Sequence, residues 1–136
     1  MLQGSLEETR EILSTDISWG WDARFHTALM VVQPENSAAI LADLGRAFSN
    51  EWTVGTVSGA SEMVSHLVKY LSGMREGQTL FTKVFEEEKC VMFAACWPWV
   101  GRSHLSIRLG VFKPYGSPED NQEVTKLLKA VFSPEL

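Results

Sequence analysis

The sequence predicts a single α+β domain over residues 1–136: a largely antiparallel five-stranded sheet closing in a three-strand meander, with helices packed mainly on one face. Three observations lead there. Amphipathic, capped stretches alternate with runs of β-branched and aromatic residues. The last three such runs are joined by the short links "EEEK" and "VGRS", far too short for the crossover that parallel strands need. Apolar residues make up 45% of the chain and charged residues 21%, a balance that supports a core without disulfides or metal.

Four helices are expected. "SLEE" has the form of a capping box, Ser5 with Glu8, ahead of Ile12 and Leu13. A second helix covers about 38–49, capped by Ser37, with Ile40, Leu41, Leu44, Ala47 and Phe48 along one stripe. The third spans 60–72, turning Met63, Val64, Leu67, Val68 and Leu71 inward and stopping at Gly73. The last begins at "SPED": Ser117 caps, Pro118 takes the first turn, Asp120 closes the box, and Val124, Leu127, Leu128 and Val131 face the core. Strands are expected at 24–32, 52–57, 79–85, 90–97 and 104–112.

One pattern stands out. "WGWDARFH" at 19–26 and "WPWVGRSH" at 97–104 both fit W-x-W-x-x-R-x-H, so Trp19, Trp21, Arg24 and His26 match Trp97, Trp99, Arg102 and His104. "LMVVQPENS" and "LGVFKPYGS" extend the likeness, so an internal duplication and coincidence of strand–turn–helix chemistry both stand. If Val100 and Gly101 form a tight turn, Trp99 opposes Arg102 and Trp97 opposes His104, and guanidinium over indole is a cation–π pairing. Val is poor in such a turn, so a longer loop is the alternative. A hairpin for the first copy rests on "DA", which lacks a glycine.

Alternation then sorts the strands. Cys90, Met92, Ala94 and Cys96 share an apolar face with Leu105, Ile107, Leu109 and Val111, expected beneath the helices. The other face sets Val91, Phe93, Ala95 and Trp97 beside His104, Ser106 and Arg108. Such a mixed surface has three readings: a second structural face with Arg and His stems packed on aromatics, a protein interface anchored by Trp and Arg, or a pocket for a small anionic or aromatic ligand.

Other chemistry is mostly rejected. Cys90 and Cys96 lie six residues apart on one strand, roughly 20 Å in extended chain, so they neither bridge nor share a metal. The histidines lack metal-ligand spacing, and no nucleophile motif appears, so no catalytic residue, metal or cofactor is expected. A net charge of −5 argues against nucleic acid. No apolar run suits a membrane span, and the start "MLQGSLEETREIL" lacks the features of a signal peptide. Unpaired cysteine usage points to a reducing cytoplasmic compartment.

The order of the closing elements, helix, three meander strands and helix, is similar to that of roadblock and profilin-like regulatory domains. The likeness is one of element order, without a shared motif, and the strand–helix near 24–49 departs from it. It implies a dimeric scaffold. The leading expectation is therefore a non-catalytic interaction domain that forms a homodimer or binds a protein partner through Phe93, Trp97, Trp99, Arg102, His104 and Arg108, with Trp19, Trp21, Arg24 and His26 as the second copy of the motif. The alternative is a domain, binding or enzymatic, that takes a small anionic or aromatic ligand at the same cluster.

Overall fold

The computed structural model describes residues 1–13 and 18–133, apart from the Arg102 side chain. In chain order the elements are α1 (Leu2–Ile12), β1 (Gly20–Asp22), β2 (Thr27–Val32), α2 (Pro34–Ala47), β3 (Asn50–Trp52), α3 (Glu62–Tyr70), β4 (Thr79–Phe85), β5 (Cys90–Pro98), β6 (Leu105–Phe112) and α4 (Pro118–Phe132). The strands form one antiparallel sheet in the order β1-β2-β6-β5-β4-β3. The expected α+β class and the β4–β5–β6 meander are both present.

The sheet has six strands rather than five. The expected strand at 24–32 starts only at Thr27, because His26 takes φ 54°, a left-handed conformation that breaks an extended run. The chain instead folds back as a hairpin, and Gly20–Asp22 becomes a strand of its own, with Trp21 opposite Ala28 and Asp22 opposite Thr27. The expected strand at 52–57 shortens to Asn50–Trp52. There the Thr56 hydroxyl accepts from the Thr53 amide at 2.9 Å, and this local bond curls the chain out of the ladder.

Helix starts shift for equally local reasons. α1 begins at Leu2, not at Ser5, because the buried stripe Leu2, Leu6, Thr9 and Leu13 extends upstream; Ser5 sits inside the helix and caps nothing. α2 begins at Pro34, which suits a first turn where an amide would lack a partner anyway. Ser37 lies within that turn, its hydroxyl donating to the Pro34 carbonyl at 2.9 Å. The Ser117–Asp120 capping box of α4 is present, as is a Ser61 cap on α3.

Two apolar cores flank the sheet. On one face α1, α2 and α4 bring Leu6, Leu13, Leu44, Phe48, Val124, Leu128 and Phe132 onto Ala28, Met30, Met92, Ala94, Cys96, Ile107 and Leu109. On the other, α3 alone lays Val64, Leu67 and Leu71 over Leu80, Val91, Phe93 and Ala95. Three helices against one matches the expected bias towards a single face. The lone helix reaches β6 through Tyr70 on Phe112 but leaves Val31, at the far end of β2 on the same face, exposed.

The pairing of β5 with β6 places Trp97 opposite Ser106 and Pro98 opposite Leu105. The expected tight turn at Val100–Gly101 is replaced by a six-residue loop closed by the Trp99 amide donating to the His104 carbonyl at 2.9 Å. Each tryptophan's partner therefore moves by two residues. Because side chains alternate with period two, that shift leaves every face assignment unchanged: Cys96, Ala94 and Met92 still lie with Ile107, Leu109 and Val111.

Candidate functional site

The two copies of W-x-W-x-x-R-x-H both wrap hairpins, β1–β2 and β5–β6, but they deliver their tryptophans to opposite faces. Trp19 is buried on the three-helix side, its ring 4.7 Å from Phe132. Trp21 lies on that side too, with the Lys129 ammonium 4.9 Å above it. Phe93 is wholly buried in the α3-side core. The fold thus takes Trp19 and Trp21 to the other face from Trp97, and keeps Phe93 on the expected face but sunk in its core.

On the α3 side, Trp97 and Arg108 meet, with the guanidinium 4.5 Å above the indole. The Arg108 Nε donates to Asp22 Oδ2 at 2.6 Å. The other Asp22 oxygen accepts from the Arg24 amide at 2.9 Å, an Asx turn that starts the 23–26 loop. Phe25 then packs edge-on against Trp97 at 5.5 Å and against Tyr70 at 5.9 Å. The Tyr70 hydroxyl donates to the Phe25 carbonyl at 2.9 Å. Burial, and next the Asp22 carboxylate, hold that phenol above the ordinary tyrosine range, so it stays a donor. Trp97 and Arg108 are thus the platform under a tethered loop.

What the loop presents is a cavity of about 720 Å³ at the end of the sheet, between residues 24–26, the chain leaving β6, and α4. Phe25, Val111, Phe112, Pro114 and Val124 give it apolar walls, and Tyr70, Asn121, Gln122 and Thr125 add polar groups. Arg24, His26, Lys113 and Lys126 bring basic side chains to it, and no carboxylate occurs among its described lining residues. Arg24, Lys113 and Lys126 have no ion-pair partner among the described residues. In a chain of net charge −5, this is a local concentration of positive charge beside apolar surface.

Protein-family models, curated proteins and solved structures offer no match to this chain. The site therefore rests on its own geometry.

Of the residues singled out by the motif, Arg24 and His26 line the cavity, while Trp97 and Arg108 support it from behind. Trp99 and His104 stand apart at the β5–β6 corner, their rings 4.6 Å apart, with the indole Nε1 donating to Ser106 at 2.7 Å. The expected Arg102–Trp99 pairing falls on a side chain outside the described residues. Sequence reasoning missed Lys113, Lys126, Tyr70 and Phe112. Lys113 stands only as a long polar residue in "LGVFKPYGS", and Lys126 as one position on the polar stripe of a helix. Only the fold brings them to one cavity.

Beyond this site, no helix among the described residues is long and apolar enough to cross a membrane.

Proposed function

We propose that this chain binds a small organic anion in the cavity between the β1–β2 loop and α4, without bond chemistry on the ligand. One observation carries the reading: four basic side chains and no described carboxylate converge on an apolar-walled cavity of about 720 Å³. That volume lies within the roughly 300–1,000 Å³ typical of small-ligand sites, which join apolar walls to a few converging polar groups. This reading favours the small-ligand alternative over the association surface, with Arg24 and His26 of the motif lining the cavity and Trp97 standing behind it.

Amide-resolved NMR titration tests this. 1-Naphthoate and 1-naphthyl phosphate should both shift Arg24–His26, Lys113 and Lys126, whereas neutral 1-naphthalenemethanol should not. If no anion moves these amides, or the neutral compound moves them equally, the reading fails.

A second reading keeps the association surface, because three exposed apolar side chains cluster at one corner. Trp99 and Val31 are 44% and 46% exposed and Val100 is fully so, all at the end of the sheet that α3 leaves open. A Trp anchor of this kind suits a homodimer or protein partner. Light scattering behind size exclusion decides the homodimer: a concentration-dependent dimer abolished by Trp99→Ala supports it, and a monomer at every concentration removes it.

A further inference from the structure

The kind of anion can be narrowed, on the footing that the cavity binds anions at all. We infer that its ligand is a phosphate monoester with an aromatic or similarly flat apolar body, rather than a monocarboxylate or a sulfate ester.

The argument is one of charge placement. Arg24 comes from the β1–β2 loop, Lys113 from the segment after β6, and Lys126 from α4. Three separate elements thus supply one cavity with cations. Asp22 is held by Arg108, and the Asp120 carboxylate accepts from the Ser117 amide at the start of α4 while lying within electrostatic reach of Lys113. With Lys113 offset in part by Asp120, a ligand with one negative charge would still leave part of the positive charge of Arg24 and Lys126 uncompensated. The remaining wall, Phe25, Phe112, Pro114 and Val124, is apolar and disfavours a second charged end on the ligand. Both charges then belong on one head, and a phosphate monoester is the common head that carries close to two charges at neutral pH. Its three terminal oxygens can accept from a guanidinium fork and two ammonium groups together. Asn121, Gln122 and Thr125 add neutral donors beside them.

A matched series isolates head charge from body shape: 1-naphthyl phosphate, 1-naphthyl sulfate and 1-naphthoate, measured by calorimetry against the full chain at about pH 8, where the phosphate ester is dianionic. The expected order is phosphate tightest, by about tenfold or more over each singly charged analogue, as one additional charge-assisted hydrogen bond gives. Lys126→Gln, at an exposed position, and Lys113→Gln, at a half-buried one, should each weaken the phosphate ester by about tenfold and the sulfate ester by less. Equal binding of the three, with both lysines still required, overturns the phosphate assignment and leaves the anion cavity standing. Tight phosphate binding indifferent to both lysines and to Arg24→Gln places the ligand elsewhere and overturns the assignment. Binding of none of the three overturns the assignment and the cavity reading together.

Discussion

Arg108, in the middle of β6, reaches across β2 to Asp22 at the end of β1 and donates to its carboxylate at 2.6 Å. β1 is an edge strand of only three residues, too short to hold its own position by ladder bonds. The ion pair, only partly exposed, adds an anchor to the packing of Trp21 on the opposite face. Through the Asx turn that Asp22 also makes, it sets where Arg24 and His26 emerge. The guanidinium is in turn held flat against Trp97, so an aromatic on β5 controls a loop two strands away.

Breaking this pair from one side should therefore cost more than breaking it from both. Asp22→Ala leaves Arg108 poorly paired and is expected to lower stability by about 2 kcal/mol, less than a fully buried pair would lose because both groups keep some solvent. Adding Arg108→Leu should recover part of that loss. Urea unfolding of the two single variants and the double variant measures the coupling. A coupling of zero would mean that the edge strand is held by something other than this contact.

How much of this was legible in sequence depends on the range of the interaction. Apolar alternation assigned both faces of β5 and β6 correctly, since any even shift of register preserves them. The Ser117–Asp120 box and the α3 stripe were readable because all their determinants lie within one or two turns. The hairpin of the first motif copy was anticipated, but its four-residue loop after Asp22 was not, because it depends on a non-glycine residue in the left-handed region and on an aspartate whose partner lies 86 residues away. The W-x-W repeat suggested one shared surface, yet the sheet turns the two copies to opposite sides. Lys113 and Lys126 look like ordinary surface lysines until the turn after β6 and α4 stand beside the 23–26 loop.

Gly110 offers a sharper test of the α3-side core. A Cβ built there would lie 2.8 Å from both the Phe93 ring and the Thr27 methyl group, closer than packed carbon atoms tolerate. Gly110→Ala should destabilise the chain by about 1–3 kcal/mol through overpacking. Phe93→Leu in the same background should return some of that loss, since the clash is with the ring edge. Thermal unfolding of both variants checks the pair, and an unchanged melting temperature for Gly110→Ala would contradict this packing.

The thiols should be silent in the native state and should report on alkaline unfolding. Burial first, then Glu88, pushes Cys90 up to about 11, and burial raises Cys96 further still. At pH 8 the Cys90 thiolate is then about two-hundredfold scarcer than in an ordinary cysteine, before access is considered. Iodoacetamide should label neither residue until denaturant is added. The linked stability has a definite sign: folding favours the neutral thiol, so the contribution is complete below the unfolded-state value near ~8.5 and is lost as pH rises towards about 11. Cys90→Ala should flatten this alkaline decline, a comparison that urea midpoints at a series of pH values can make.

Tyr70→Phe separates the loop's tethers from the cavity's charges. The substitution keeps the ring, and with it the contacts to Phe25 and to Phe112 at 5.1 Å, and removes only the hydroxyl that donates to the Phe25 carbonyl. Loss of that bond should cost about 1 kcal/mol of stability, and the Asp22–Arg108 pair should still hold the first half of the loop. Arg24 and His26 would then sample more positions around the cavity mouth. Affinity for 1-naphthyl phosphate should fall several-fold, since a loop that must be ordered by the ligand binds more weakly than one already in place. Backbone relaxation at residues 24–26 should rise in parallel. An affinity loss with no change in loop mobility would instead mean that the hydroxyl contacts the ligand directly, and unchanged affinity would show that the Asp22 anchor alone suffices to place Arg24.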